Sequence, residues 1–194
     1  MFKKIVFSFF IITALSGMNL FAQSQSSAER RAGLAAKSKY FSIYVDSRAD
    51  IYSILQKLNY QQFSMNPNFM ASKNNDVKTI LADTLDSIFL EVSDILDSHI
   101  YTFSGELKIV FTKDDIGEIY KFYFNKDFHE RSFYIYEKNT VYISYSDMTL
   151  GMLAHEVAHA VISYYFGVPP PMKIQEVLAG YVEYHLRRKM GDLQ

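Results

Sequence analysis

One apolar stretch, Met152 to Ile162, contains two histidines and a glutamate in the order His155-Glu156-Val157-Ala158-His159. Nearly every other residue in it is Leu, Ala, Val or Ile, and a helix apolar on nearly every side is buried on nearly every side. Polar side chains inside such a helix are costly unless something compensates them. The spacing supplies a compensation: on a helix, His155 and His159 lie one turn apart on one face, so both rings can reach a single metal ion. Glu156 lies about 100° further round, placed to take a proton from a water beside the ion. With 5 histidines in 194 residues, a chance His-Glu-x-x-His is expected in roughly one such chain in 150. The competing reading is a pair of core histidines bonded to backbone or tyrosine hydroxyls. A zinc ion accounts for all three residues at once.

A catalytic zinc usually has three protein ligands, and the following segment offers the third. Gly167 suits a helix C-terminus, and Pro169-Pro170-Pro171, three of the four prolines in the chain, cannot continue a helix. A second helical pattern then begins, with Ile174, Val177, Leu178, Tyr181, Val182 and Leu186 as one apolar stripe. Glu176 falls on the other face beside Ala179 and Gly180, whose small side chains would let another helix approach. Glu176 is the candidate third ligand, with Glu183, two turns on, as the alternative. His185 falls on the apolar stripe and reads as a core histidine.

His155-Glu156-x-x-His159, a proline-rich connection and Glu176-Val177-Leu178-Ala179-Gly180-Tyr181 together resemble the gluzincin metallopeptidases, the thermolysin-like peptidase MA group. The resemblance covers residues 139–190. Metzincins are excluded, because His159 is not followed by the Gly and His of their longer motif. The resemblance implies an α+β zincin-like domain with a small mixed sheet, a motif helix and a ligand helix. It also implies Zn2+ on His155, His159 and Glu176, with Glu156 as general base in peptide-bond hydrolysis. The sequence departs from the family in three places. Val177 stands where many members have glycine, and no Trp precedes Glu176. Gly180 replaces an aspartate that supports a zinc-bound histidine, a role Glu183 or Asp147 could take over. The large C-terminal subdomain of bigger gluzincins has no counterpart here. With that subdomain goes its transition-state hydrogen-bond donor, and Tyr145 is the candidate replacement. The strand before the motif helix, Val141 to Ser144, would edge the cleft and pair with an extended peptide. A second class of function fits the departures: a zincin-shaped binding or assembly factor whose zinc is structural.

The N-terminus locates the chemistry. Lys3 and Lys4 precede an apolar run from Ile5 to Leu15, and Ala22 offers a small residue for cleavage, so residues 1–22 read as a secretory signal peptide. The run is short for a bilayer span of about 20 residues, which argues against a retained anchor. The mature protein would be periplasmic or secreted. No cysteine occurs, which removes disulfides and thiolate chemistry. The formal charge of −1 gives no support for general nucleic-acid binding, which leaves peptide or protein substrates as the expected partners.

Residues 23–39, rich in Gln, Ser, Ala, Lys and Arg, read as a flexible leader that could lie across the cleft until removed. A single domain follows over 40–194. Strands are expected at 40–45, 106–112, 133–136 and 141–145, and helices at 49–58, 77–96 and 114–124 ahead of the motif helix. Asn66-Pro67-Asn68 and Ser72 to Asp76 mark loops. The aromatic residues between Tyr120 and Tyr136 suggest either ring stacking with nucleic acid or glycan, or alternating core positions, and core positions are the simpler reading.

Overall fold

The computed structural model describes residues 25–63 and 76–189. The signal-like run, the loop expected at 66–68 and residues 72–75 of the loop expected at 72–76 lie outside these residues. Among those described, five strands form one mixed sheet in the order β1-β2-β3-β5-β4: β1 (Ala32–Lys37), β2 (Phe41–Asp46), β3 (Gly105–Val110), β4 (Ser132–Ile135) and β5 (Thr140–Ser144). The three inner strands are parallel, and the two outer ones run antiparallel to their neighbours. Seven α-helices accompany them: α1 (Ser27–Arg31), α2 (Ile51–Lys57), α3 (Tyr60–Phe63), α4 (Val77–Ile95), α5 (Lys113–Phe124), α6 (Leu150–Phe166) and α7 (Met172–Lys189). The fold is α+β, as expected, and most element bounds fall within two residues of the expected ones. None of these helices is long and apolar enough to cross a membrane.

Strand alternation sorts the side chains into two cores. Ile43, Leu107, Ile109, Val141 and Ile143 meet α4 and α6 on one face of the sheet. Val110, Tyr142, Phe133 and Ile135 meet α5 and α1 on the other. Local signals set the helix ends. Thr112, expected to close β3, instead caps α5: its hydroxyl accepts from the Asp115 N–H while the Asp115 carboxylate accepts from the Thr112 N–H. Thr149 caps α6, and Gly167 ends it with φ +67°, a backbone that glycine adopts freely.

Three expectations are corrected. Much of the expected leader is built into the fold, since Ser27–Arg31 is helical and Ala32–Lys37 pairs with β2. This places it at the sheet edge opposite β4, not across a cleft beside the motif helix. Its composition hid two things: a Ser26/Glu29 capping box, and an edge strand whose partner is local. Glu29 of that helix is buried. Its carboxylate accepts from the Lys108 ammonium at 2.9 Å, the Tyr142 and Tyr123 hydroxyls at 2.8 Å each, and the Ser26 N–H at 3.3 Å. Burial acts to raise this carboxyl, but the three side-chain donors and the Lys108 charge outweigh it and hold it below the ordinary range.

The second correction concerns the strand beside the cleft. β5 pairs with β3 on one side and β4 on the other, so it is central and every residue of it is buried. The edge is β4. The Ser144 N–H donates to the Arg131 carbonyl at 2.9 Å, and Phe133 and Ile135 face Tyr142 and Thr140 in the same register. By antiparallel alternation, the N–H and C=O groups of Ser132 and Tyr134 therefore point away from the sheet.

The third correction is the rotation of α7. Its buried residues are Gln175, Ala179, Val182 and Leu186, whereas Ile174, Val177 and Tyr181 are 50%, 64% and 49% exposed. The helix turns its small-residue side inward because α6 approaches there. The close approach is not at Gly180, where an added Cβ would meet nothing within 4 Å. It is at Gly151 of α6, where a Cβ would come within 3.2 Å of the side chains of Glu183 and Arg187. His185 is accordingly not in the core, and its ring lies against Tyr181 with centroids 4.2 Å apart.

Candidate metal centre

α6 and α7 form an antiparallel hairpin, and the rotation just described turns Glu176 towards the histidine face of α6. His155 Nε2 and His159 Nε2 are 3.3 Å apart. The Glu176 carboxylate completes a triangle, with Oε2 at 3.4 Å from His155 Nε2 and Oε1 at 3.5 Å from His159 Nε2. Four ligands placed tetrahedrally at about 2.0–2.1 Å from an ion are separated by about 3.3–3.4 Å. The distance between the two histidine nitrogens matches that spacing, a Glu176 oxygen lies near each of them, and with one ligand atom per residue the three groups lie within 4.8 Å of one another, so His155, His159 and Glu176 could hold a metal ion. Two neutral nitrogens and a carboxylate oxygen are a donor set suited to zinc and its first-row neighbours.

The surroundings favour ligand function over solvation. His159 is buried, and burial followed by the nearby His155 lowers its proton affinity, which favours the neutral ring that a metal requires. Each histidine has a partner outside the triangle. Glu183 Oε2 lies 3.5 Å from Nδ1 of His155, on the ring edge away from the triangle. The Gln175 side chain lies beside the ring of His159 and is oriented by donating its Nε2 to the Pro170 carbonyl at 2.7 Å. Partners of this kind fix ring tautomer and direction. Of the two glutamates read as candidate third ligands, Glu176 therefore stands at the triangle and Glu183 behind a histidine.

Glu156 is 7% exposed and turned towards β4, where its Oε1 accepts from the Ser132 hydroxyl at 2.8 Å. Burial pushes its carboxyl up to about 8; the Ser132 bond opposes this, and the charge of Glu176 adds to it. A dication in the triangle would favour the ionised form again.

His155, Glu156, His159 and Glu176 open into one cleft of about 630 Å3, bounded by β4 on one side and by Met172 and Pro169 on the other. Tyr145 does not line it. The structure stacks that ring on Phe111 at 5.7 Å, beneath the Lys57 ammonium at 5.3 Å, so the expected role for Tyr145 is not met. Asp147 is also elsewhere, accepting from the hydroxyls of Ser144 and Ser146. The tyrosines that do line the cleft near the triangle are Tyr134 and Tyr136. Their hydroxyls already donate, to Asn139 Oδ1 at 3.0 Å and to the Gly167 carbonyl at 2.8 Å.

Sequence reasoning missed Ser132 and Gln175. Ser132 had no local signal, because its partner is 24 residues away across the sheet edge. Gln175 did have one: as a polar residue next to a candidate ligand, it needed a buried partner as soon as the helix face was chosen correctly. Compared with known proteins, this chain matches no family model, no curated protein and no solved structure.

Proposed function

We propose that this protein is an exported zinc-dependent peptidase of gluzincin type. The observation that carries the reading is the convergence of His155, His159 and Glu176 on one point, with a buried carboxylate, Glu156, next to it in an open cleft. A structural zinc is normally closed off by four protein ligands, whereas three ligands facing a cleft leave a position open. Bound there, zinc would polarise a peptide carbonyl and acidify a water. With Oε1 held by Ser132, Glu156 has Oε2 as the atom that would accept a proton from an attacking water and return it to a leaving amine. Glu183, behind the His155 ring at Nδ1, and Gln175, beside His159, would keep the two rings turned towards the site. The outward N–H and C=O groups of Ser132 and Tyr134 are free to pair with an extended peptide lying along β4.

The test is zinc per chain, by elemental analysis of the purified protein, combined with a peptide-hydrolysis screen. One equivalent of zinc is expected, lost in His159→Ala and retained in Glu156→Gln, with hydrolysis lost in both variants. Hydrolysis undiminished in Glu156→Gln would remove Glu156 from its role. A chain that takes up no zinc on titration would sink the reading altogether. Zinc without hydrolysis would favour the binding-factor function, with the metal as a structural element.

A further inference from the structure

The cleft continues past β4 to the side facing away from the ligand helices. There it is lined by Tyr120 and Phe124 of α5 and by Phe128 of the following loop, together with Phe133. Tyr120 stacks on Phe128 with centroids 4.0 Å apart and planes 10° apart, and Phe124 tilts against Tyr120 at 4.5 Å. Phe133 meets Tyr120 edge-on at 5.2 Å and so locks the group to the strand. Phe124 is 40% exposed, although it belongs to an organised ring cluster beside a cleft. Isolated exposed aromatics are ordinary, but a packed ledge with an open face beside a strand edge is a surface made for contact.

β4 relates this ledge to the metal centre. Ser132 and Tyr134 face α6, as the Ser132 bond to Glu156 and the packing of Tyr134 on that core show. Phe133 and Ile135 face α5. A chain added to the free edge continues the same alternation, so its successive side chains fall by turns over the triangle and over the ledge. The two residues flanking a scissile bond have opposite parity, so one of them must face the ledge, as must the residue two further on. The charged residues around this part of the cleft, Glu130, Arg131 and Glu137, are of mixed sign and select no single charge.

We propose that Tyr120, Phe124 and Phe128 form a subsite for bulky apolar side chains, aromatic ones above all, at alternate positions of an extended peptide. This rests on the peptide-binding part of the reading above. The substrate class is therefore an unfolded or strand-forming segment with apolar residues spaced by two. A helix-forming amphipathic segment, with spacing of three and four, does not fit.

The test compares two labelled seven-residue peptides of identical composition on the full chain as purified. One alternates Phe and Ser, and the other carries the same residues as Phe-Phe-Ser-Ser-Phe-Phe-Ser, in which no two Phe are spaced by two. Fluorescence anisotropy follows binding, and mass spectrometry of the same samples follows cleavage. Discrimination is read as a Kd ratio where peptides stay intact and as a kcat/KM ratio where they are cut. A preference of about tenfold or more for the alternating peptide is expected, falling towards unity in Phe124→Ser. Equal treatment of the two peptides by the unaltered chain overturns the ledge, whether or not any variant folds. So does a preference that Phe124→Ser leaves intact. Selective binding without cleavage, at one zinc per chain, would instead count against hydrolysis and leave the ledge standing.

Discussion

Glu29 and Glu156 are both buried against the sheet, 3% and 7% exposed, on its two opposite faces. The fold treats them in opposite ways. Glu29 receives four hydrogen bonds, one of them from an ammonium, and is held ionised more firmly than in water. Glu156 receives one, from a serine, and burial pushes it up to about 8. A saturated carboxylate welds α1 to β3 and β5. An under-satisfied one lies beside three groups that could hold a metal ion, and its carboxyl binds a proton more readily than in water. Burial alone would have marked both as equally unusual; the number and charge of the donors separates structure from chemistry.

This contrast can be broken from either side. The largest effect belongs to Glu156→Gln, expected to lower peptide hydrolysis by about 10²- to 10⁴-fold while moving the unfolding midpoint little, since it removes a poorly solvated carboxyl. A large loss of stability on urea unfolding would show that Glu156, too, is structural. Glu29→Ala should do the reverse. It leaves the Lys108 ammonium with Glu106 at 3.2 Å and takes the acceptor from the Tyr123 and Tyr142 hydroxyls, and a cost of about 2–3 kcal/mol is expected from urea unfolding. Next in size is Glu183→Ala, expected to weaken zinc binding by about 10- to 100-fold in a competition titration with a chelator. Unchanged affinity would mean that the 3.5 Å approach to His155 has no orienting role.

The smallest effect is in pH dependence. The Glu29 carboxyl is held below its ordinary value of 4.5, so the stability it contributes is present above that pH. That stability is lost as pH falls through the lower folded value. Acid unfolding of Glu29→Gln should therefore show a shallower loss of stability below about 4.5 than the parent. Superimposable acid limbs would remove Glu29 from the account.

Much of this was legible in the sequence, for physical reasons that differ between elements. The motif helix declared itself because i, i+4 spacing and all-round apolarity are local properties, and Glu176 followed from them. The roles of Glu176 and Glu183 depended on the rotation of α7, and there periodicity misled. Of the expected apolar stripe, Val182 and Leu186 are buried, but Ile174, Val177 and Tyr181 lie outward, because Gly151 on the other helix decides which side can approach. The choice of edge strand was misread because residue types do not separate the two. Val141-Tyr142-Ile143 and Phe133-Tyr134-Ile135 are equally apolar runs, and only their burial differs, continuous in β5 and alternating in β4. The Ser132 bond to Glu156 joins segments 24 residues apart, which a linear reading does not reach. The leader was misjudged because α1 is too short for periodicity to register.

The five-residue connection from Gly167 to Pro171 has a consequence for how tightly an ion could be held. Glu176 lies 17 residues from His159. In a free chain, closing a loop of that length would cost about 2.5 kcal/mol of entropy. Here the packing of Ala179, Val182 and Leu186 has already closed it, with the two helices joined through prolines of restricted φ. An ion arriving at the histidine pair would find its third ligand at hand, an advantage of roughly seventyfold in affinity over the same three residues on an unfolded chain. The apolar side of α7 thus sets, through chain entropy, how much metal its polar side can retain.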